Sequence, residues 1–308
     1  MADHEFAFLS QNTFLKAPAF DGARPYAVAG VAWDGCVTNR PGARFGPDAI
    51  RRASHMLCDG THPVFDTVAL EHLTDLGDLA LPNTSLEAMR AVLQAQASLM
   101  LKHHHMVWLG GDHSITLPLL RALKAHHGQP LALLHFDAHC DTWVDHFGEP
   151  SGHGTWTYEA LQEGLVVPEA TVQIGIRSSG VREAREYVND VGGRVFTARE
   201  LRGCESPNQL AFVIDEIRRR HAAAGAPPIY LTLDIDCLDP AFAPGTGTPE
   251  PGGLSSNQVL SLLESLHDLP WAGMDCVEVS PPYDHAELTS SAAATFVWTY
   301  LSGLLAQG

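Results

Sequence analysis

Residues 135–141 of this 308-residue chain read His-Phe-Asp-Ala-His-Cys-Asp, so Asp137, His139 and Asp141 recur at every second position. Side chains at that spacing point the same way from an extended backbone. Carboxylates and an imidazole on one edge repel each other unless a cation lies between them. Two further segments carry the same chemistry: Asp234-Ile-Asp236, which ends the apolar run 229–233, and His113, which follows Gly110-Gly111-Asp112. Four aspartates and two histidines on three strand ends are enough for two metal ions. Oxygen and imidazole donors without thiolate favour a borderline-hard divalent ion such as Mn²⁺, though Zn²⁺, Co²⁺ or Ni²⁺ fit the same ligands. Two such ions about 3.5–4 Å apart can share a hydroxide and bridging carboxylates. Asp137 and Asp234, first in their motifs, are the expected bridges. The expected chemistry is activation of water.

Strands must deliver these ligands. Strand-like apolar runs at 26–33, 106–109, 131–136, 171–176, 194–196, 229–235 and 273–279 alternate with helical patterns. The helical patterns fall at 86–103, 116–125, 155–163, 181–188, 207–223, 256–266 and 290–305. Such alternation predicts a single three-layer α/β/α domain with a central, mostly parallel sheet. In open α/β sheets, function collects at the carboxyl ends of strands. Here Trp33-Asp34, 110–113, 137–141, 234–236 and Glu278 all follow predicted strands.

Composition narrows the partners. A formal charge of −17 argues against nucleic acid and anionic membranes, which need a basic face, and suits a cationic substrate. The cysteines, at 36, 58, 140, 204, 237 and 276, form no CxxC pair, which fits a reducing compartment. The N-terminus lacks a basic start followed by an apolar run, and no stretch approaches membrane-spanning length, so a cytoplasmic protein is expected. By alternation Cys140 should point away from its ligand neighbours. Gly245, Gly247, Gly252 and Gly253 lack the Lys-Ser/Thr order of a phosphate loop.

Gly-Gly-Asp-His (110–113), His-Phe-Asp-Ala-His-Cys-Asp (135–141) and Asp-Ile-Asp-Cys-Leu-Asp-Pro (234–240) resemble the metal signatures of the ureohydrolase (arginase/agmatinase) superfamily. Ala-Pro-Gly-Thr-Gly-Thr-Pro (243–249), Val-Glu-Val-Ser-Pro (277–281) and the segment 40–51 extend the likeness. LTLDIDCLDPAFAPGTGTP and DHAELTSSAAAT look most like bacterial agmatinases. The match starts near residue 25, which divides the chain into an N-terminal extension (1–24) and a catalytic domain (25–308). The resemblance implies that His113, Asp137, Asp141 and Asp234 hold one manganese, and Asp137, His139, Asp234 and Asp236 the other. It implies hydrolysis of a guanidino compound, foremost agmatine, to urea and an amine by a metal-bridging hydroxide. Asp141 would also orient the hydroxide, Glu278 would pair with the guanidinium, and His153 in Ser-Gly-His-Gly would shuttle the proton. Family members form trimers or hexamers, so a homo-oligomer is implied.

The substrate's tail is read from residues 143–152. Arginase-type recognition of an α-carboxylate and α-amine uses an Asn- and Ser-rich loop before the shuttle histidine. This loop offers Asp145 and Glu149 instead, which suit an ammonium tail and repel a carboxylate. It also differs from the bacterial agmatinase loop: Trp143, His146, Phe147 and Trp156 can shape another pocket, and His146 can favour an anionic tail. The competing readings are a guanidinobutyrase or other guanidine hydrolase, and a polyamine-pathway regulatory binding protein without activity. His135 is expected behind the site, and the histidines at 103–105 at a solvated helix end.

Overall fold

The computed structural model describes residues 12–57 and 60–307. Eight strands are defined: β1 (Tyr26–Val31), β2 (Leu73–Asp78), β3 (His105–Gly110), β4 (Leu131–Phe136), β5 (Val166–Ile176), β6 (Arg194–Thr197), β7 (Ile229–Asp234) and β8 (Trp271–Val277). They form one sheet in the order β2-β1-β3-β8-β7-β4-β5-β6. Every pairing is parallel. The expected sheet was mostly parallel; among the described residues it is wholly so.

Alternate strand residues enter opposite layers. Val28, Val107, Leu134 and Leu231 pack with Ile50, Val213, Val259 and Phe296 on one face. Ala29, Trp108, Leu133 and Tyr230 pack with Met89, Leu93, Leu119 and Trp156 on the other. The first layer holds α1 (Gly46–Ser54), α7 (Ala211–Ala223), α8 (Ser256–Ser265) and α9 (Leu288–Leu305); the second holds α2 (Leu86–Met100), α3 (Thr116–His127) and α4 (Trp156–Gln162). Burying each large apolar side chain contributes about 1.5–3 kcal/mol. Local chemistry sets the helix ends: Ser255 and Gln258 form a reciprocal cap on α8, and Gly128 closes α3 at φ 68°. The pattern at 181–188 breaks into two single-turn helices, α5 (Arg182–Arg185) and α6 (Tyr187–Asp190).

All seven predicted strands appear, but β2 was not predicted. Its sequence, LTDLGD, carries two acids and a glycine, which read as a turn. Their side chains are buried because Arg51, itself buried on α1, neutralises them. Its guanidinium grips both Asp75 oxygens at 2.8 and 3.0 Å and also pairs with Asp78. The segment expected as an N-terminal extension contributes Phe14, Leu15 and Ala17 to the core. Cys58 lies outside the described residues; the other cysteines are free.

Candidate active site

β3, β8, β7 and β4 are neighbours in the sheet, and their carboxyl ends lead into His113, Glu278, Asp234 to Asp236 and Asp137 to Asp141 respectively. Parallel pairing therefore brings segments far apart in sequence to one edge. At the β3 end, the chain passes so close to Trp33 that a Cβ on Gly111 would lie 1.7 Å from its carbonyl oxygen. Glycine is required there.

The reason Asp137, His139 and Asp141 converge is not the strand alternation inferred above. β4 ends at Phe136, and the ligand segment is irregular. Asp137 Oδ1 accepts the His139 N–H at 2.6 Å, which curls the chain. Asp141 adopts φ 51°, a left-handed conformation, and its carbonyl accepts the N–H groups of Thr157 and Tyr158 at 3.1 and 3.3 Å. Tertiary contacts hold this ligand where strand geometry would not.

The six predicted ligands meet in two groups that share Asp137. His113 Nδ1 lies 3.1 Å from Asp137 Oδ2 and 3.3 Å from both Asp141 Oδ2 and Asp234 Oδ2. His139 Nδ1 lies 3.3 Å from Asp137 Oδ1 and 3.1 Å from Asp236 Oδ2. Asp137 thus presents one oxygen to each group. Asp234 Oδ1 is turned to the Asp236 N–H at 2.8 Å. His113 Nδ1 is buried without an acceptable hydrogen bond, although three carboxylate oxygens surround it. An oxygen-and-imidazole set with an orphaned nitrogen fits divalent cations.

Residues behind the ligands fix their orientation. His113 Nε2 lies 2.8 Å from Thr232 Oγ1, which donates to buried Asp275 at 2.5 Å. Thr232 therefore accepts the Nε2 proton and leaves Nδ1 to face the carboxylates. His135, expected behind the site, is buried against Asp137, with Nε2 2.8 Å from Asp137 Oδ2 and Nδ1 3.0 Å from Gln173 Nε2, and stands with His113, Asp137 and Asp141 in one potential metal-holding group. Cys140 is buried away from the ligands in a separate apolar cluster.

Without a cation, the cluster binds protons. Burial opposes charge on His113, but the adjacent Asp137 and Asp141 carboxylates prevail and raise its pKa to about 9. Burial, then the charge of Asp137, pushes Asp141 up to about 7. Burial, then Asp236 and Asp137, raises Asp234 well above the usual carboxylate range. Burial of Asp137 is outweighed by His113, His135 and His139, which hold it well below that range.

Glu278 sits beside this cluster, buried at φ 64° after β8. Its Oε1 accepts the His113 backbone N–H at 2.9 Å and lies 2.8 Å from His153 Nδ1. Its Oε2 is buried without a partner among the described residues. His153 Nε2 lies 3.1 Å from Thr38 Oγ1. Burial disfavours the imidazolium, yet Glu278, then Asp112 and Asp141, raise the His153 pKa to about 9. No sequence signal marked Thr38.

A cleft of about 470 Å³ opens onto His113, His139, Asp141, Asp234 and His153. Its outer wall is Trp143, Val144, Phe147 and Val181, and Asp145 and His146 also line it. No lysine or arginine lines it among the described residues. Glu149 is exposed and lines no part of it; its backbone forms a tight bridge with His146. Trp156, grouped with the pocket residues by sequence, is fully buried behind the ligands instead. His146 packs so tightly under Gly152 that a Cβ there would lie 2.3 Å from the ring.

A sequence model described as the Arginase family matches residues 24–302. The chain belongs to the arginase family. Agmatinase from Neisseria meningitidis serogroup C is 41% identical over 300 residues, covering 94% of this chain and 92% of the relative. Agmatinase from Edwardsiella ictaluri is 42% identical over 290 residues, covering 92% and 90% respectively. The solved structure of proclavaminate amidino hydrolase from Streptomyces clavuligerus superposes with a TM-score of 0.87 at 38% identity, covering 99% of this chain and all of that one. This arginase-family chain is therefore an α/β hydrolase acting on guanidino C–N bonds, with a His/Asp cluster suited to two divalent metals.

Proposed function

We propose that the chain hydrolyses agmatine to putrescine and urea with two Mn²⁺ ions. The observation that carries this reading is the pair of ligand groups sharing Asp137 at the base of a cleft that no lysine or arginine lines among the described residues. The names of the relatives support the choice of agmatine. His113, Asp137, Asp141 and Asp234 would hold one ion; Asp137, His139, Asp234 and Asp236 the other. Bound there, the ions would lower the pKa of water and so supply hydroxide at neutral pH.

The chain's own residues do the rest. The unpartnered Glu278 Oε2 would accept from the guanidinium through a charge-assisted hydrogen bond. Asp141 Oδ1 has no hydrogen bond among the described residues, which leaves it free to orient the attacking hydroxide. When the C–N bond breaks, the leaving amine needs a proton. His153, held at Nδ1 by Glu278 and favoured as the imidazolium, would give it.

The tail reading rests on charge. Asp145 is the carboxylate in the outer part of the cleft, and its Oδ1 is held by the Gly148 N–H at 2.9 Å. Burial, then His153, lowers the His146 pKa, so this ring stays neutral and gives an anionic tail no charge to pair with. An ammonium tail is therefore favoured over a carboxylate.

The test is urea release by Mn²⁺-loaded protein on agmatine, 4-guanidinobutyrate, 3-guanidinopropionate and arginine in parallel. The expected result is a kcat/KM for agmatine at least about a hundredfold above the others, a difference of about 2.8 kcal/mol. Preference for a carboxylated guanidine would overturn the tail assignment. Silence on all four with both metals bound would point to an untested guanidine or the wrong metal.

A further inference from the structure

We propose that Trp156 is a positioning residue for the metal centre: its indole N–H selects which oxygen of Asp141 faces the ligand cluster. This inference rests on the metal-centre reading above. Trp156 is fully buried, and its Nε1 donates to Asp141 Oδ2 at 2.7 Å. The same Oδ2 is the oxygen 3.3 Å from His113 Nδ1. With Oδ2 fixed from behind, Oδ1 remains without a hydrogen bond on a residue that lines the cleft.

The indole ring reaches the other ligands too. Its centroid lies 4.7 Å from that of His113 at 36° and 4.9 Å from that of His135 at 60°. His135 in turn bonds to Asp137, so one buried ring braces a ligand directly, a second by tilted ring contact and a third through an intermediary. The brace is needed because Asp141 departs from the strand with a left-handed φ, which costs about 1–3 kcal/mol in a residue other than glycine. Trp156 opens α4, and the next two backbone N–H groups hold the Asp141 carbonyl. The same turn of chain thus clamps both the backbone and the side chain of this ligand. Packing alone does not require the N–H to meet Asp141, since phenylalanine would also fill an apolar site. The Trp156 N–H does have an acceptor, and it is a ligand oxygen.

Trp156→Phe keeps the ring contacts and removes the donor. Mn²⁺ binding to wild type and variant would be measured by competition with a chelator, with stoichiometry from elemental analysis. The expected result is that one of the two ions binds about 10–100-fold more weakly in the variant, as for other groups that orient metal ligands, with the second within about threefold. Two affinities within about twofold of wild type, in a variant with a native circular dichroism spectrum, would overturn the inference. Wild type that binds no metal would overturn the metal-centre reading along with it.

If Trp156→Phe fails to fold, wild-type protein labelled with 5-fluorotryptophan answers the same question. Its six tryptophans give resolvable ¹⁹F signals, assigned by replacing the other five singly. Titration with diamagnetic Zn²⁺ should move the Trp156 signal in step with loading of the first ion. A Trp156 signal that stays in place while both ions load would overturn the proposal.

Discussion

Glu278 divides its two oxygens: Oε1 lies 2.8 Å from His153 Nδ1, while Oε2 is buried with no partner among the described residues. A buried carboxylate oxygen without a donor is costly unless a ligand supplies one, so the arrangement stores an unmet demand beside the metal ligands. Glu278→Gln keeps the shape and an oxygen for the His113 N–H, but replaces the charge. A charge-assisted bond contributes about 1.5–3 kcal/mol, so kcat/KM for agmatine is expected to fall about 10–150-fold. Metal stoichiometry should be unchanged. A variant with wild-type kcat/KM would remove Glu278 from guanidinium recognition.

Asp145 and Glu149 looked equivalent in the sequence, but only Asp145 lines the cleft. Asp145 is exposed, so its attraction for an ammonium tail is screened, as for other exposed pairs worth about 0.2–1 kcal/mol. Asp145→Asn should therefore raise KM for agmatine about two- to fivefold with little change in kcat. Glu149→Gln should leave both constants unchanged. The reverse order would show that the loop rearranges when substrate enters.

The His/Asp cluster was legible because its residue types are rarely crowded together for any purpose but metal binding. Parallel order was legible because strand runs apolar on both faces need helices on both sides. What the sequence concealed depends on contacts across long separations. β2 hides behind Asp75 and Asp78, which are buried through Arg51. Trp156 reads as a cleft residue until α4 is placed behind Asp141. The Thr232–Asp275 support of His113 joins residues 43 positions apart on two paired strands to a histidine 119 positions from Thr232. The even spacing of Asp137, His139 and Asp141 led to residues that do converge, but through the wrong geometry, since an irregular segment rather than a strand carries them.

Metal affinity should depend steeply on pH. In the cation-free cluster His113 is favoured as imidazolium, with a pKa raised to about 9, and Asp234 is favoured as the neutral acid. Divalent ions must displace those protons, so binding weakens as pH falls. Chelator-buffered titrations at pH 8, 7 and 6 should show affinity dropping at least about tenfold per pH unit. Proton release measured in weakly buffered solution should match. A flat profile would mean that the ligands are already deprotonated in the free protein.

A separate acid sensitivity is expected far from the site, at His105. Its Nε2 lies 2.8 Å from the Tyr300 hydroxyl at the start of β3. Burial, then the charge of His127, lowers its pKa from 6.5 to about 4. Between these values the unfolded chain takes up a proton that the folded chain refuses. Stability is therefore fully present above pH 6.5 and is lost as pH falls toward 4, by up to about 1.4 kcal/mol per pH unit. Other groups titrate in the same window, so the comparison must be made against a variant. Urea denaturation of metal-free wild type and His105→Gln at pH 7 and pH 5 isolates the contribution. The variant should lose about 1–2 kcal/mol less than wild type over that interval. Equal losses would show that His105 accepts its proton without cost in the folded state.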